Sequence, residues 1–225
     1  EYAARAEGVD DSRVRDTPDD ATGVALIVVD AAGENAIVVA SGANARLTPD
    51  DVFACEDAFA VADVVLLQLE LPLPTVRAAL DMARRHGVRT VLDPAPARAE
   101  LPAELYQVDI FSPNVSEAEI LTGTQAVEER LGKRVALELI ARGARAAVLK
   151  LSHRGALVVT ADSHFYTVPA CKVTVTDSTG AGDAFTAALA VATARGEPLR
   201  DATAYANAAG ALACTALGAQ AALPT

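Results

Sequence analysis

Apolar positions along the chain fall into two rhythms. Short unbroken runs at Val64 to Leu69, Thr90-Val91-Leu92, Val108 to Phe111 and Ala146 to Leu151 read as strands, the first as a strand buried on both faces. Between them the spacing turns helical. Val76, Leu80 and Ala83 line one face of a helix over Val76 to His86, with Gly87 as its stop. Ser116 with Glu119 makes a capping box that opens a short helix ending near Gly123, and a further helix runs from Val135 to Arg142 and stops at Gly143. Strand and helix in alternation imply an α/β fold with a mainly parallel sheet covered on both faces.

The flanks read differently. Glu1 to Gly8 looks like the end of a helix. Gly23 to Val29 and Ala36 to Val39 alternate around a turn at Ala31 to Asn35 and suggest a hairpin. A second hairpin is expected from Leu157 to Thr160 and Phe165 to Val168. Two long alanine-rich helices follow, about Ala181 to Arg195 and Leu199 to Leu217. No internal repeat or low-complexity linker divides the sequence, so residues 1–225 read as one domain, with the hairpin at about 22–40 projecting from it.

Composition narrows the function classes. Of the 225 residues 52% are hydrophobic and 22% charged, which suits a packed protein rather than a disordered one, and 4% aromatics without Trp imply an aliphatic core. The formal net charge of −11, from 30 acids against 19 bases, repels a phosphate backbone and disfavours nucleic acid as a partner. Cys55, Cys171 and Cys214 are scattered, which argues against a disulfide framework or a zinc site and fits a reducing cytoplasm; Cys214 reads as a small buried apolar residue. No apolar run has the length of a membrane span.

Chemistry concentrates at Thr179-Gly180-Ala181-Gly182-Asp183, between a strand-like segment and a long helix. Small residues allow a tight turn, and the unpaired N–H groups of a helix start, with its dipole, make an anion site suited to a phosphoryl group. Asp183 would stand there as an acceptor for the proton of an attacking hydroxyl, or as a simple helix cap. A Walker loop would need Gly-Lys-Ser/Thr and a dinucleotide fingerprint would need Gly where Phe185 stands, so neither applies.

The segment Asp177 to Phe185 resembles the C-terminal signature of the ribokinase (PfkB-type) carbohydrate kinases. Further resemblances follow in the family's order: Gly42-Ala43-Asn44-Ala45, Gln68-Leu69-Glu70, Asp93-Pro94-Ala95-Pro96-Ala97, Pro113-Asn114 to Glu119, Arg154-Gly155 and Gly218-Ala219-Gln220. The resemblance implies a three-layer α/β/α fold with a small β lid. It also implies transfer of the γ-phosphate of ATP to a sugar hydroxyl, first of all O5 of ribose. Fructose, a keto-deoxy sugar acid or a nucleoside are the alternative acceptors.

By the same resemblance Asp183 is the catalytic base, and the N–H groups of Gly180, Ala181 and Gly182 hold the developing charge. Asn114 and Glu117 correspond to an Asn-x-x-Glu motif that organises Mg2+ and phosphates, although Glu117 also suits a helix N-terminus for its own sake. Glu70 corresponds to a sugar contact, with an exposed loop carboxylate as the other reading. Lys150, Ser152, Arg154, Gly155 and Asn207 fall on the nucleotide side, Asn207 equally suited to a merely structural polar role. Asp177 and Thr179 correspond to a K+ site completed by carbonyls of residues 213–222, or Asp177 is a turn residue. The family also implies a homodimer joined through its lid strands.

Four departures stand out. No Gly-Gly pair occurs, and the chain opens in mid-helix, from which we expect an N-terminal segment carrying sugar contacts to be missing and, as a rival reading, a nucleotide-binding module without turnover. The chain ends at Pro224-Thr225, before the family's usual last helix. Lys150 and Ser152 stand where Thr and Gly are frequent. Ala222 stands where a Ser is common near the cation.

Overall fold

The computed structural model describes residues 2–29, 35–125 and 129–224. After a short helix α1 (Tyr2–Ala6), strands β1 (Val24–Val29) and β2 (Asn35–Ala40) form an antiparallel pair separate from the main sheet. The turn expected between them falls largely on residues outside the described ones. Helices α2 (Pro49–Phe53) and α3 (Glu56–Val61) lead into β3 (Val64–Leu67). Then follow α4 (Leu73–His86), β4 (Arg89–Leu92), β5 (Ile110–Phe111), α5 (Val115–Thr122), α6 (Glu129–Ala141) and β6 (Ala146–Lys150). The described chain closes with β7 (Ala156–Thr160), β8 (Phe165–Val168), α7 (Ala181–Ala194) and α8 (Leu199–Ala213).

Six strands lie in sequence order, β3-β4-β5-β6-β7-β8. The first four are parallel; β7 and β8 join antiparallel. Period-two alternation explains how one sheet fills two cores. Leu92, Phe111, Ala147, Leu149, Leu157 and Val159 face α4, α5 and α6. Val91, Ile110, Val148, Val158 and Val168 face α7 and α8. Fully buried Val76 and Leu80 of α4 each contribute about 1.5–3 kcal/mol by leaving water. The layers are therefore helix, sheet, helix, as the alternation predicts.

Several expectations need correction. Among the described residues the Val64 to Leu69 run is an edge strand with one neighbour, four residues long, and Leu66 is 39% exposed. The helix over Val115–Thr122 is capped by Asn114, not Ser116. Asn114 Oδ1 accepts from the Glu117 N–H at 2.8 Å, and Glu117 Oε2 accepts from the Asn114 N–H at 2.7 Å. Ser116 donates its hydroxyl to the same Asn114 Oδ1. Helix α8 ends at Ala213, shorter than its apolar pattern, because the following segment turns back to bond residues 176 and 177. Cys214, at that turn, is half-buried rather than buried.

Among the described residues no helix is long and apolar enough to cross a membrane.

Candidate active site

Four of the segments singled out for chemistry lie together at the edge where the parallel strands of the sheet finish. Gln68 to Glu70 follow β3, Asp93 to Ala97 follow β4, Asn114 and Glu117 follow β5, and Lys150 ends β6 with Leu151 to Gly155 after it. The first turn of α7 closes on this edge from the other layer. Carboxyl ends of strands are where open α/β sheets bind ligands.

Gly180 sits just before α7 with φ of 78°, and a Cβ there would lie 3.2 Å from the Ala219 carbonyl oxygen. Only glycine combines that left-handed turn with such an approach. The Ala181 N–H donates to Ser178 O at 3.2 Å. Gly182 and Asp183, in the first turn, have no helical carbonyl four residues back, so their N–H groups are the open donors of this helix start. Of the donors expected at Gly180, Ala181 and Gly182, the Ala181 N–H is thus engaged within the turn, and the Asp183 N–H adds a further open donor.

Asp183 is solvent-accessible, and Gln68 Nε2 donates to its Oδ1 at 3.1 Å. Partial desolvation in the cleft and the nearby Asp93 carboxylate push its pKa up; Lys150 and the Gln68 bond pull the other way. Glu117 is half-buried. Its carboxylate accepts from Asn114 twice, N–H to Oε2 and Nδ2 to Oε1, both at 2.7 Å. Desolvation raises its pKa against the pull of Lys150, with Asp93 and Asp183 adding to the rise.

Asp93, which the sequence marks only as the start of the Asp93-Pro94-Ala95-Pro96-Ala97 motif, lies at the centre of this group, 3% exposed. Its Oδ2 accepts from Lys150 Nζ at 2.5 Å and from the Thr186 hydroxyl at 2.7 Å; its buried Oδ1 has no partner among the described residues. Lys150 is fixed at its backbone too, through its N–H to Pro113 O at 2.9 Å and a parallel bridge to Asn114. Asp93 therefore pairs directly with the ammonium, and Glu117 and Asp183 lie within its electrostatic range.

The remaining candidates are placed less centrally. Glu70 is exposed beyond β3, behind the fully buried Leu69. Ser152 (φ 55°) and Arg154 are exposed on the turn after β6, and Gly155 is buried beneath them. Asn207 is 8% exposed and gives its amide hydrogens to Val168 O and Pro169 O, both at 3.1 Å, which leaves only Oδ1 for a ligand. Asp177 Oδ1 accepts from the Thr179 N–H (2.9 Å) and hydroxyl (2.7 Å), and Oδ2 from the Gly218 N–H (2.9 Å). These donors, Gly218 first, lower the Asp177 pKa. One carboxylate oxygen with spare capacity and neighbouring backbone carbonyls remain for a monovalent cation.

Among the described residues no cluster of three or more His, Cys, Asp or Glu is arranged to hold a metal ion alone. The residues do fit a divalent ion that arrives with a polyphosphate. The surplus of negative charge around Lys150 and the unpaired buried Asp93 Oδ1 suit one, and each Glu117 oxygen keeps a lone pair beyond its Asn114 bond. A cavity of about 590 Å3 lies elsewhere, at the opposite ends of the strands around Arg84, Arg89 and Asp109, and holds none of these groups.

The sequence is 40% identical over 223 residues to the bifunctional ribokinase/ribose-5-phosphate isomerase A of Fructilactobacillus sanfranciscensis, spanning 98% of this chain and 41% of that protein. It is 38% identical over 218 residues to the ribokinase of Staphylococcus aureus, spanning 96% of this chain and 71% of that one. The fold superposes on the structure of Arabidopsis thaliana ribokinase complexed with ribose and ATP with a TM-score of 0.82. That match is 28% identical and covers 91% of this chain and 67% of the other. The pfkB family carbohydrate kinase profile matches residues 2–225, and the chain belongs to that family.

Proposed function

We propose that this protein is an ATP-dependent kinase that phosphorylates the 5-hydroxyl of ribose, with Asp183 as its base. The observation that carries the reading is the meeting of an accessible carboxylate, open N–H donors and a lysine ammonium at the first turn of α7. Asp183 takes the proton of the sugar hydroxyl as its oxygen bonds to the γ-phosphorus; the bond from that phosphorus to the β–γ bridging oxygen breaks, and ADP leaves. The N–H groups of Gly182 and Asp183 and the ammonium of Lys150 face the charge that gathers on the phosphoryl oxygens. Mg2+ bound with ATP would neutralise phosphate charge, held through water by Glu117 and, behind it, Asn114. Glu70 would hold a sugar hydroxyl, while Ser152, Arg154, Gly155 and Asn207 form the nucleotide side.

A coupled assay of ADP release tests this with ATP and ribose, run in potassium and in sodium. We expect ribose 5-phosphate as product and faster turnover in potassium, a difference that Asp177→Ala abolishes. Turnover on fructose or a nucleoside with none on ribose would overturn the substrate; equal rates in both salts would remove the cation site.

Strands β1 and β2 make the lid, and we propose that it pairs with the lid of a second copy. Leu26 and Val38 stand opposite each other on one face, 62% and 67% exposed. Such an apolar face on a two-stranded ribbon favours a partner. Light scattering should give twice the chain mass, and Leu26→Glu with Val38→Glu should give the monomer. A monomeric parent would refute the pairing.

A further inference from the structure

Asp93 is the buried charge that the proton-transfer scheme leaves unused. Its carboxylate follows β4, and the ammonium it holds belongs to the last residue of β6, with β5 between them. The ion pair therefore spans the middle of the catalytic edge. Thr186, one turn into α7, adds a third element: its single hydroxyl proton is shared between Asp93 Oδ2 at 2.7 Å and Gly182 O at 2.9 Å. A Cβ added at Gly182 would lie 3.9 Å from Lys150 Nζ, so the ammonium rests against the turn that presents the open N–H groups.

A neutral Asn at position 93 would still accept from Thr186. Of its two bonded partners, only Lys150 requires the negative charge. Lysine is a flexible stem carrying a compact charge, and in this cleft it has two other carboxylates within electrostatic range, Glu117 and Asp183. Pairing with Asp183 would occupy the base; pairing with Glu117 would pull the ammonium toward the α5 cap. Asp93, the most deeply buried of the three, takes one of the three ammonium N–H bonds and leaves two for phosphoryl oxygens.

We propose that Asp93 is a positioning residue: its buried carboxylate fixes the Lys150 ammonium against the first turn of α7, aimed at the phosphoryl group in transfer and kept from pairing with the Asp183 base. The inference rests on the phosphotransfer reading and adds a residue to it.

The test is a double-mutant cycle of Asp93→Asn and Lys150→Met on the full chain. It is read by kcat, by KM for ATP and ribose, by ADP affinity in calorimetry and by thermal melting. Asp93→Asn should lower kcat about tenfold to hundredfold, as expected of a misplaced group, with the ribose KM little changed. In the Lys150→Met background the same substitution should have no further effect on kcat. The double variant, which buries no unpaired charge, keeps the comparison open if a single variant melts early. An equal loss of kcat from Asp93→Asn with and without Lys150 would overturn the positioning role, as would parental kcat in a folded Asp93→Asn variant. A parent chain that neither binds ADP nor phosphorylates ribose would instead overturn the phosphotransfer reading beneath it.

Discussion

Asp183→Asn should lower kcat by about 10²–10⁴ while ADP affinity stays near that of the parent. Asn keeps the size of the side chain and the oxygen that accepts from Gln68 Nε2, so the first turn of α7 has no reason to move. What is lost is the capacity to take a proton. Loss of kcat with retained nucleotide binding separates a base from a helix cap, because removal of a cap would show in the melting temperature instead. The pH profile gives a second check. Partial desolvation and the Asp93 carboxylate raise the Asp183 pKa, and the base works only when deprotonated. The acid limb of kcat/KM should therefore fall at higher pH than an ordinary aspartate would give. A profile flat down to the usual carboxylate range, or an Asn variant with near-parental kcat, would remove Asp183 from the mechanism.

Much of this site could be read along the chain because its parts are local. The turn at Gly180 to Asp183 needs small residues, a positive φ and a helix start, and all three are written within a few positions. Asn114 and Glu117 are likewise three apart, although the pattern around Ser116 and Glu119 competes with them. The cap went to Asn114 because its side chain satisfies Glu117 and is satisfied in return. The sheet was legible for a related reason: strands covered on both faces must be apolar throughout, as Val91-Leu92 and Ile110-Phe111 are. The edge position of β3 was not, since the same apolar run serves a strand that, among the described residues, pairs on one side.

Asp93 and Thr186 were beyond the reach of pattern. Asp93 reads as the end of a strand before a proline, and Lys150 as a residue of the nucleotide side with no stated partner. Their contact joins positions 57 apart in sequence across an intervening strand, so it depends on the order β4-β5-β6 and on the placement of α7 against that edge. The signal available was a pair of opposite charges at the carboxyl ends of two parallel strands. Asn207 illustrates the converse. An amide on a helix near a nucleotide side suggests a ligand contact, but its hydrogens are committed to the end of β8.

That commitment leads to the second large effect, at Gly155. Gly155→Ala should destabilise the protein by about 3–5 kcal/mol and weaken ADP binding together with it. Gly155 has φ of 88° and ψ of −131°, a region open to glycine and strained for residues with a side chain. Space is as restrictive as conformation: a Cβ would lie 2.0 Å from Val168 O and 2.6 Å from the Ala170 N. Those are backbone atoms, so no flexible side chain can give way. Relief requires that the end of β8 move, and β8 is where Asn207 anchors α8. The Gly155 carbonyl also accepts from the Leu151 N–H at 2.7 Å, which closes the turn carrying Ser152 and Arg154. Strain at this one Cα thus reaches β8, α8 and the proposed nucleotide side together. For a chain of this size the loss corresponds to a fall in melting temperature on the order of 10 °C. Asn207→Ala, which cuts the tie without strain, should weaken ADP binding with a smaller fall, about 1–3 kcal/mol. Calorimetry of unfolding and of ADP binding on both variants decides the matter. A Gly155→Ala variant that melts with the parent would mean that this turn is free to take another shape, and the coupling between the β6–β7 turn and α8 would go with it.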